Sequence, residues 1–156
     1  MMLFALYLLI LFVLTGIDQL TKFIIVSNYS LNDSLVVIKD FFNITHINNY
    51  GAGFSILQDQ RIFLSVVSII AIGILVYLLI TEKKNSNLTK ASYLMIIAGA
   101  LGNLIDRIRL GYVVDFLDFN IFGYDFPVFN FADCCITIGC FIVIFIVLKE
   151  NKNANN

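Results

Sequence analysis

Four long apolar runs dominate the sequence, at residues 3–26, 62–80, 91–105 and 128–148. A helix needs about 20 predominantly apolar residues to cross a bilayer, and the third run reaches that length only if it continues past Asp106. The chain is 60% hydrophobic with a mean hydropathy of +0.90, which leaves too little polar surface for a soluble domain. We therefore predict a single all-α integral membrane domain, residues 1–156, with four transmembrane helices at about 3–26, 62–81, 91–109 and 128–148.

The first run has the length of a signal peptide as well as that of a spanning helix. It lacks a basic n-region and a small-residue cleavage site, so we predict a retained helix. Cytoplasmic loops are enriched in Lys and Arg. Here Lys83, Lys84 and Lys90 lie between the second and third runs, and Lys149 and Lys152 follow the fourth. This distribution places that loop and both termini in the cytoplasm.

With four spanning helices, successive helix ends alternate between the two sides of the membrane. This alternation puts the ionisable residues of the spanning segments near the outer face. They are Asp18, Lys22, Asp106, Arg107 and Asp133. A transport pathway more often distributes such groups through the depth of the membrane, so the cluster predicts a site reached from outside. Asp18 and Lys22 are spaced i,i+4, which favours an ion pair, and a purely structural pair is at least as plausible as a catalytic role.

Two outer loops, at residues 27–61 and 110–127, contain short patterns. Residues 35–38 and 42–45 predict a small β-hairpin on the membrane surface, and residues 48–53 break its second strand. Residues 54–57 predict a short amphipathic turn at the interface. In the second loop Asp115 lies between apolar residues, and Pro127 is predicted in the first turn of the fourth helix.

Asp115 and Asp133 are the strongest candidates for chemistry. Both lie among apolar residues at the predicted outer face, and neither has an evident cation partner. Burial favours the protonated carboxyl group, and two carboxylates that meet share one proton, so that one acts as a base and the other as an acid. That is aspartyl-protease chemistry. The alternative, that Asp115 caps a turn and Asp133 forms hydrogen bonds within the bundle, is open at this point.

Polar residues next to these carboxylates have spacings that suit supporting roles. Asn103 shares one helix face with Asp106 and Arg107. The Arg107 guanidinium can pair with an acid or donate to a substrate carbonyl. Asn130 is three residues before Asp133, so it can orient that carboxylate or bind substrate backbone.

Two other nucleophile arrangements are weaker. Residues 53–55 (Gly-Phe-Ser) match half of a serine-hydrolase elbow, but Ile56 replaces its second Gly, and the lone His46 is expected to be exposed. Cys134 and Cys135 are helix neighbours that point about 100° apart, so they cannot both face one site or chelate one metal. We interpret them as small apolar residues and predict no metal site.

Five segments, taken together, resemble the motifs of the lipoprotein signal peptidases, also called signal peptidase II. Each segment alone is weak evidence for the family, whereas five segments in the same order on a chain with four apolar runs are specific evidence for it. Two features depart from the family pattern: the N-terminus lacks basic residues, and cysteines follow the last aspartate. The segments are Asp18-Gln19-Leu20-Thr21-Lys22, Asn49-Tyr50-Gly51-Ala52, Gly99-Ala100-Leu101-Gly102-Asn103-Leu104-Ile105-Asp106-Arg107, Val113-Val114-Asp115-Phe116 and Phe129-Asn130-Phe131-Ala132-Asp133.

The resemblance implies four transmembrane helices, a small outer β-cradle and a short interfacial helix. It implies that Asp115 and Asp133 form the catalytic dyad of an aspartic endopeptidase without metal or cofactor. The substrate would be a bacterial prolipoprotein, cleaved just before a lipobox Cys that carries diacylglycerol. The residues that would bind substrate or support the site are Asn49, Gly51, Asn103, Arg107, Asn130, Asp18, Lys22 and Asp106.

Two other classes of function are alternatives. A small ion-coupled transporter could use Asp18, Asp106 and Asp133 as a relay, although the one-sided clustering argues against it. A structural subunit would leave the cost of burying these acids unexplained. The formal net charge of −1 excludes a general nucleic-acid surface. We expect a monomer in the bacterial cytoplasmic membrane, in contact with lipids, with its site near the extracytoplasmic face.

Overall fold

Four long helices make up most of the computed structural model, which describes residues 2–52, 56–81 and 86–154. Each helix is long and apolar enough to cross a membrane, which confirms the predicted fold class. Their outward faces carry exposed Leu, Ile, Val and Phe side chains, as contact with lipid requires. The helices are α1 (Met2–Asn28), α2 (Arg61–Thr81), α3 (Asn87–Arg109) and α4 (Phe131–Ala154).

A small antiparallel sheet connects the helix ends in the order β1-β2-β3-β4. The predicted hairpin is present as β1 (Ser34–Ile38) and β2 (Phe42–Asn49). The second loop, predicted without a strand, contains β3 (Val113–Ile121) and β4 (Tyr124–Asp125). β2 therefore lies between β1 and β3, and the sheet joins both outer loops into one unit.

The β3 strand is irregular where it passes the helices. The N–H groups of Phe116 and Leu117 both donate to the carbonyl oxygen of Phe129, at 3.0 and 2.7 Å. The β2–β3 register also shifts between Ile44 and Ile47. Such bulges bend a strand and redirect its side chains. The irregularity comes directly after Asp115. The residues of β3 that follow it therefore do not continue the regular alternation of side chains that begins at Val113.

Two helices begin at positions other than those predicted. α3 starts at Asn87 rather than near residue 91, because the Ser86 hydroxyl caps it and accepts the Thr89 N–H at 3.1 Å. α4 starts at Phe131, so the prediction of Pro127 in its first turn is wrong. The preceding residues instead run beside β3, where Phe129 bridges to Leu117.

α3 is the central helix of the bundle, and half of its spanning segment is buried. Small residues allow α1 and α4 to approach it closely. A Cβ atom on Gly99 would collide with the Ala132 carbonyl oxygen, and one on Gly102 would collide with the Asp18 carboxylate. The polar end of α3 therefore packs directly against α1 and against the first turn of α4.

The two described ends of the loop between β2 and α2 are joined by a hydrogen bond. Its first part is held by the Ala52 N–H, which donates to the Ile56 carbonyl oxygen at 2.7 Å. Residues 57–59 form a turn in which Leu57 and Asp59 have positive φ. Residues 53–55, and with them half of the predicted interfacial turn, lie outside the described residues.

Candidate functional site

Asp115 is held in place by two side-chain amides. Asn49, at the end of β2, donates from Nδ2 to Asp115 Oδ2 at 2.9 Å, and Asn130 donates to Oδ1 at 2.6 Å. The carboxyl group is only 2% exposed. Burial raises the pKa of Asp115 to about 7, and the nearby charge of Asp133 adds to the increase, while the two amides oppose it. Asp115 therefore carries a proton more readily than an ordinary aspartate.

Asp133 lies in the first turn of α4 and is held by Asn103 and Asn130. Its Oδ1 accepts the Asn103 Nδ2–H at 2.8 Å, and its Oδ2 accepts the Asn130 N–H at 3.2 Å. The Asp133 N–H donates back to Asn130 Oδ1 at 3.0 Å, which makes a reciprocal cap at the start of the helix. Asn130 thus contacts both carboxyl groups, as its spacing from Asp133 predicted.

A buried ion cluster lies beneath these residues. Lys22 Nζ is 3.0 Å from Asp18 Oδ2 and 2.9 Å from Asp106 Oδ2. The same nitrogen donates to Asn103 Oδ1 at 3.0 Å, which turns the Asn103 NH₂ group toward Asp133. The i,i+4 ion pair predicted for Asp18 and Lys22 is present, and Asp106 extends it.

Gln19 also belongs to the ion cluster; it lies in the first of the five motif segments but was assigned no role there. Its Nε2 donates to Asp106 Oδ1 at 3.0 Å and to Asp18 Oδ2 at 3.2 Å. The Lys22 ammonium group faces the carboxylates of both Asp18 and Asp106, and the Gln19 amide provides a further donor to each of them. A helix neighbour of Asp18 points about 100° away from it, so only the position of α3 explains this contact.

Two carboxylate oxygens of the ion cluster also accept backbone N–H groups. Asp18 Oδ1 accepts the Ala132 N–H at 3.0 Å, so a side chain from α1 satisfies the first turn of α4. Asp106 Oδ2 accepts the Val114 N–H at 3.2 Å, one residue before Asp115. The ion cluster thereby fixes the two segments that carry Asp115 and Asp133.

Arg107 anchors the start of the loop that follows β2. Its Nη2 donates to the Gly51 carbonyl oxygen at 3.0 Å, while the Gly51 N–H donates to Asn49 Oδ1 at 2.9 Å. A Cβ atom on Gly51 would lie 2.5 Å from the Ile56 carbonyl oxygen, so only glycine fits there. The predicted partners of Arg107 were an acid or a substrate carbonyl; among the described residues it donates instead to a carbonyl of the protein itself.

Asp115 and Asp133 line one cavity of about 480 Å³. Its polar end also carries Asn49, Asn103 and Arg107. Its other walls are largely apolar and continue along α4, with Val113, Phe126, Pro127, Val128, Phe129, Cys134, Ile136 and Ile138 among them. A cavity of this shape can hold an apolar segment while presenting a polar group to two carboxyl groups.

The other candidates are not brought into this cavity. His46 is buried, contrary to the expectation of exposure, and its Nδ1 lies 2.9 Å from the Tyr29 carbonyl oxygen. Its predicted partner Ser55 lies outside the described residues. Cys134 lines the cavity whereas Cys135 is buried away from it, as their helical spacing requires. Among residues 2–52, 56–81 and 86–154, no three His, Cys, Asp or Glu side chains are placed to hold a metal.

The fold and the cavity define a multi-pass membrane protein with a carboxylate-lined site at one end of its helix bundle. The family model described as signal peptidase (SPase) II matches residues 10–149. The chain therefore belongs to the signal peptidase II family and is a peptidase, which confirms the resemblance carried by the five sequence motifs.

Individual relatives agree with the family assignment. The lipoprotein signal peptidases of Staphylococcus aureus strains JH9 and Newman are each 45% identical over 136 residues, covering 87% of this chain and 83% of the relative. Two solved structures are described as a bacterial membrane enzyme studied by the in meso method, and both are 42% identical to this chain. One has a TM-score of 0.90 and covers 96% of this chain and 91% of its own; the other has a TM-score of 0.83 and covers 94% of each.

Proposed function

We propose that this protein is an intramembrane aspartic endopeptidase that removes the signal peptide from diacylglyceryl-modified prolipoproteins. Cleavage occurs immediately before the lipidated Cys. The observation that carries the proposal is that Asp115 and Asp133 line one cavity and share Asn130 as a hydrogen-bond partner. The relatives named lipoprotein signal peptidases support the choice of substrate.

The proposed reaction divides the roles of the two carboxyl groups. Asp115, whose pKa is raised to about 7 by burial, carries the proton at rest and donates it to the scissile carbonyl oxygen. Asp133, as the carboxylate, removes a proton from the attacking water. When the tetrahedral intermediate collapses, Asp133 passes that proton to the leaving nitrogen of the Cys residue, and Asp115 recovers its own.

Neighbouring residues hold this dyad rather than react. Asn49 and Asn130 fix Asp115, and Asn103 fixes Asp133. Lys22, Asp18 and Asp106 hold Asn103 and the backbone of both segments from below. Arg107 and Gly51 fix the start of the loop that follows β2. Preorganised positioning of this kind supplies much of the rate enhancement of an enzyme.

The substrate fits the distribution of polar and apolar surface. The apolar cavity wall along α4 would take the end of the signal peptide, while the acyl chains remain in lipid. In this proposal the dyad lies at the extracytoplasmic face and both termini are cytoplasmic, a topology supported by the Lys distribution. We propose that the protein acts as a monomer.

The transporter alternative gains no support from the geometry. Asp18 and Asp106 are both engaged by Lys22, and Asp133 is held by two asparagines. In the described helices the next acidic residue is Glu150, at the far end of α4. A proton relay through the membrane would need ionisable groups between the depth of Asp133 and that of Glu150.

A cleavage assay in detergent tests the proposal. We expect the protein to cleave a precursor peptide whose lipobox Cys carries diacylglycerol and to leave the same peptide without lipid intact. Asp115→Asn and Asp133→Asn should each abolish turnover while thermal unfolding stays cooperative. Asp33→Asn, in the α1–β1 connection, is the matched control and should retain activity. Turnover by either dyad variant, or strong inhibition by a chelator, would contradict the mechanism.

A further inference from the structure

A second cavity, of about 1050 Å³, lies on the open face of the sheet beside the active site. Asn43, Thr45 and Ile47, which alternate along β2, all line it. Alternate residues of a strand point to the same side, so one face of β2 forms the floor of this cleft. The proposed reaction uses none of these three side chains.

The sheet cleft adjoins the active-site cavity. Phe126, Pro127 and Val128 line both. Ile47, on the floor of the cleft, is paired across the sheet with Asp115 of the dyad. A polypeptide that leaves the dyad on the side of the sheet therefore reaches the cleft next.

The sheet cleft carries more acid than base. Asp40, Asp118 and Asp125 line it with Lys39 as the one cation among its lining residues. Thr45 Oγ1 donates to Asp118 Oδ2 at 2.6 Å, and Asn120 Nδ2 donates to Asp125 Oδ1 at 2.6 Å.

These hydrogen bonds fix the two carboxylates without neutralising them. In the described part of the chain the ion pairs are those of Lys22, so none of the three cleft acids is paired with a cation. A basic side chain that entered the cleft would therefore meet carboxylates that are oriented and still charged.

We propose that the sheet cleft binds the segment of the substrate that follows the scissile bond, and that Asp118 and Asp125 favour a basic residue in it. The inference rests on the proposed function, because it takes the scissile bond to lie between Asp115 and Asp133. The signal peptide and acyl chains need apolar surroundings, whereas the segment after the lipidated Cys is the part that leaves the membrane. A polar cleft that begins at the dyad suits that segment.

The geometry sets the position of the preferred residue. Asp118 is three residues beyond Asp115 on β3, a separation of about 10 Å at roughly 3.3 Å per residue. An extended substrate covers the same distance in three residues. The basic side chain is therefore expected at the third or fourth residue after the scissile bond.

Three diacylglyceryl peptides that differ only at these two positions, with Lys, Gln or Glu, test the proposal. The readout is the ratio of kcat/KM for the Lys peptide to that for the Glu peptide. For wild-type protein we expect a ratio of about threefold to tenfold, because exposed charge pairs contribute modestly. The ratio should fall as ionic strength rises from 0.05 to about 0.5 M, since salt screens exposed charges.

Charge-removing variants assign the preference to the sheet cleft. In Asp118→Asn and Asp125→Asn the Lys-to-Glu ratio should approach 1, and either variant suffices if the other does not fold. Asp33→Asn removes one negative charge outside the cleft and should keep the wild-type ratio. Equal kcat/KM values for the three peptides in wild-type protein, or an unchanged ratio in the variants, would overturn the proposal. Absence of cleavage of all three peptides would instead count against the proposed function.

Discussion

Asn130 donates from Nδ2 to Asp115 Oδ1 at 2.6 Å, which ties the N-terminus of α4 to β3. The same side chain accepts the Asp133 N–H through Oδ1 at 3.0 Å. One amide thus has two separable tasks: its NH₂ group holds a carboxyl group, and its oxygen caps a helix. The two tasks can be tested independently, because substitutions exist that keep one and remove the other.

Asn130→Ser should retain the cap and lose the contact with Asp115, since a Ser hydroxyl accepts the Asp133 N–H but lacks the NH₂ group. We expect kcat to fall on the order of 100-fold, the typical cost of a misplaced catalytic group, with thermal stability close to wild type. Asn130→Ala should lose a similar factor in kcat and a further ~1 kcal/mol of stability with the cap. Full activity in the Ser variant would show that the amide does not position Asp115.

The turnover rate should depend on the protonation of Asp115. Its pKa is raised to about 7, so the carboxyl group is protonated below that pH and loses its proton above it. We expect kcat/KM for a lipidated peptide to decline as pH rises from about 7 to 9, by up to tenfold per pH unit once Asp115 of the free protein is ionised. A kcat/KM that increases through this range would assign the resting proton to another group.

Thermal stability should also fall as pH rises toward 7. The folded protein holds the Asp115 proton up to about pH 7, whereas the unfolded chain releases it near pH 4, so between these values folding is linked to proton binding. The stabilisation is complete below the unfolded pKa and is lost as pH rises through the folded pKa. Thermal midpoints in detergent between pH 5 and 8 measure it. Asp115→Asn, which cannot titrate, should show a flatter dependence, and identical slopes would contradict the assignment.

Gly102→Ala should disrupt the buried ion cluster. The added Cβ atom would collide with the Asp18 carboxylate, which would have to leave Lys22 or the Ala132 N–H. We expect a loss of roughly 3 kcal/mol of stability, as for other broken buried ion pairs. Gly73→Ala on α2 is the matched control, because nothing lies within 4 Å of its Cβ position. Ala favours a helix over Gly, so the control should be neutral or more stable, and equal effects of the two variants would reject the packing argument.

The sequence predicted the features that local patterns encode. Apolar runs located all four helices, and alternation located the β1–β2 hairpin. The Asp18–Lys22 ion pair followed from its i,i+4 spacing. These features depend on residues close together in the chain, where helical and extended periodicity determine which side chains share a face.

The missed features depend on contacts between distant segments. β3 was interpreted as loop because its first four residues are all buried, including Asp115, so the strand lacks the alternation of a half-exposed one. The role of Gln19 depends on where α3 passes, and the start of α4 depends on the pairing of Phe129 with Leu117. His46 is buried rather than exposed, and its contacts are with the α1–β1 connection, at Tyr29 and Asp33.

The hydrogen bond from the Ala132 N–H to Asp18 Oδ1 has a consequence for biosynthesis. It links α1 to α4, and Asp133 of the proposed dyad follows Ala132 immediately. Before α4 enters the bilayer, the nascent chain holds Asp115 without Asp133, and Asp18 lacks this contact. On the proposed mechanism, cleavage of a substrate therefore requires that α4 has been inserted and has met α1.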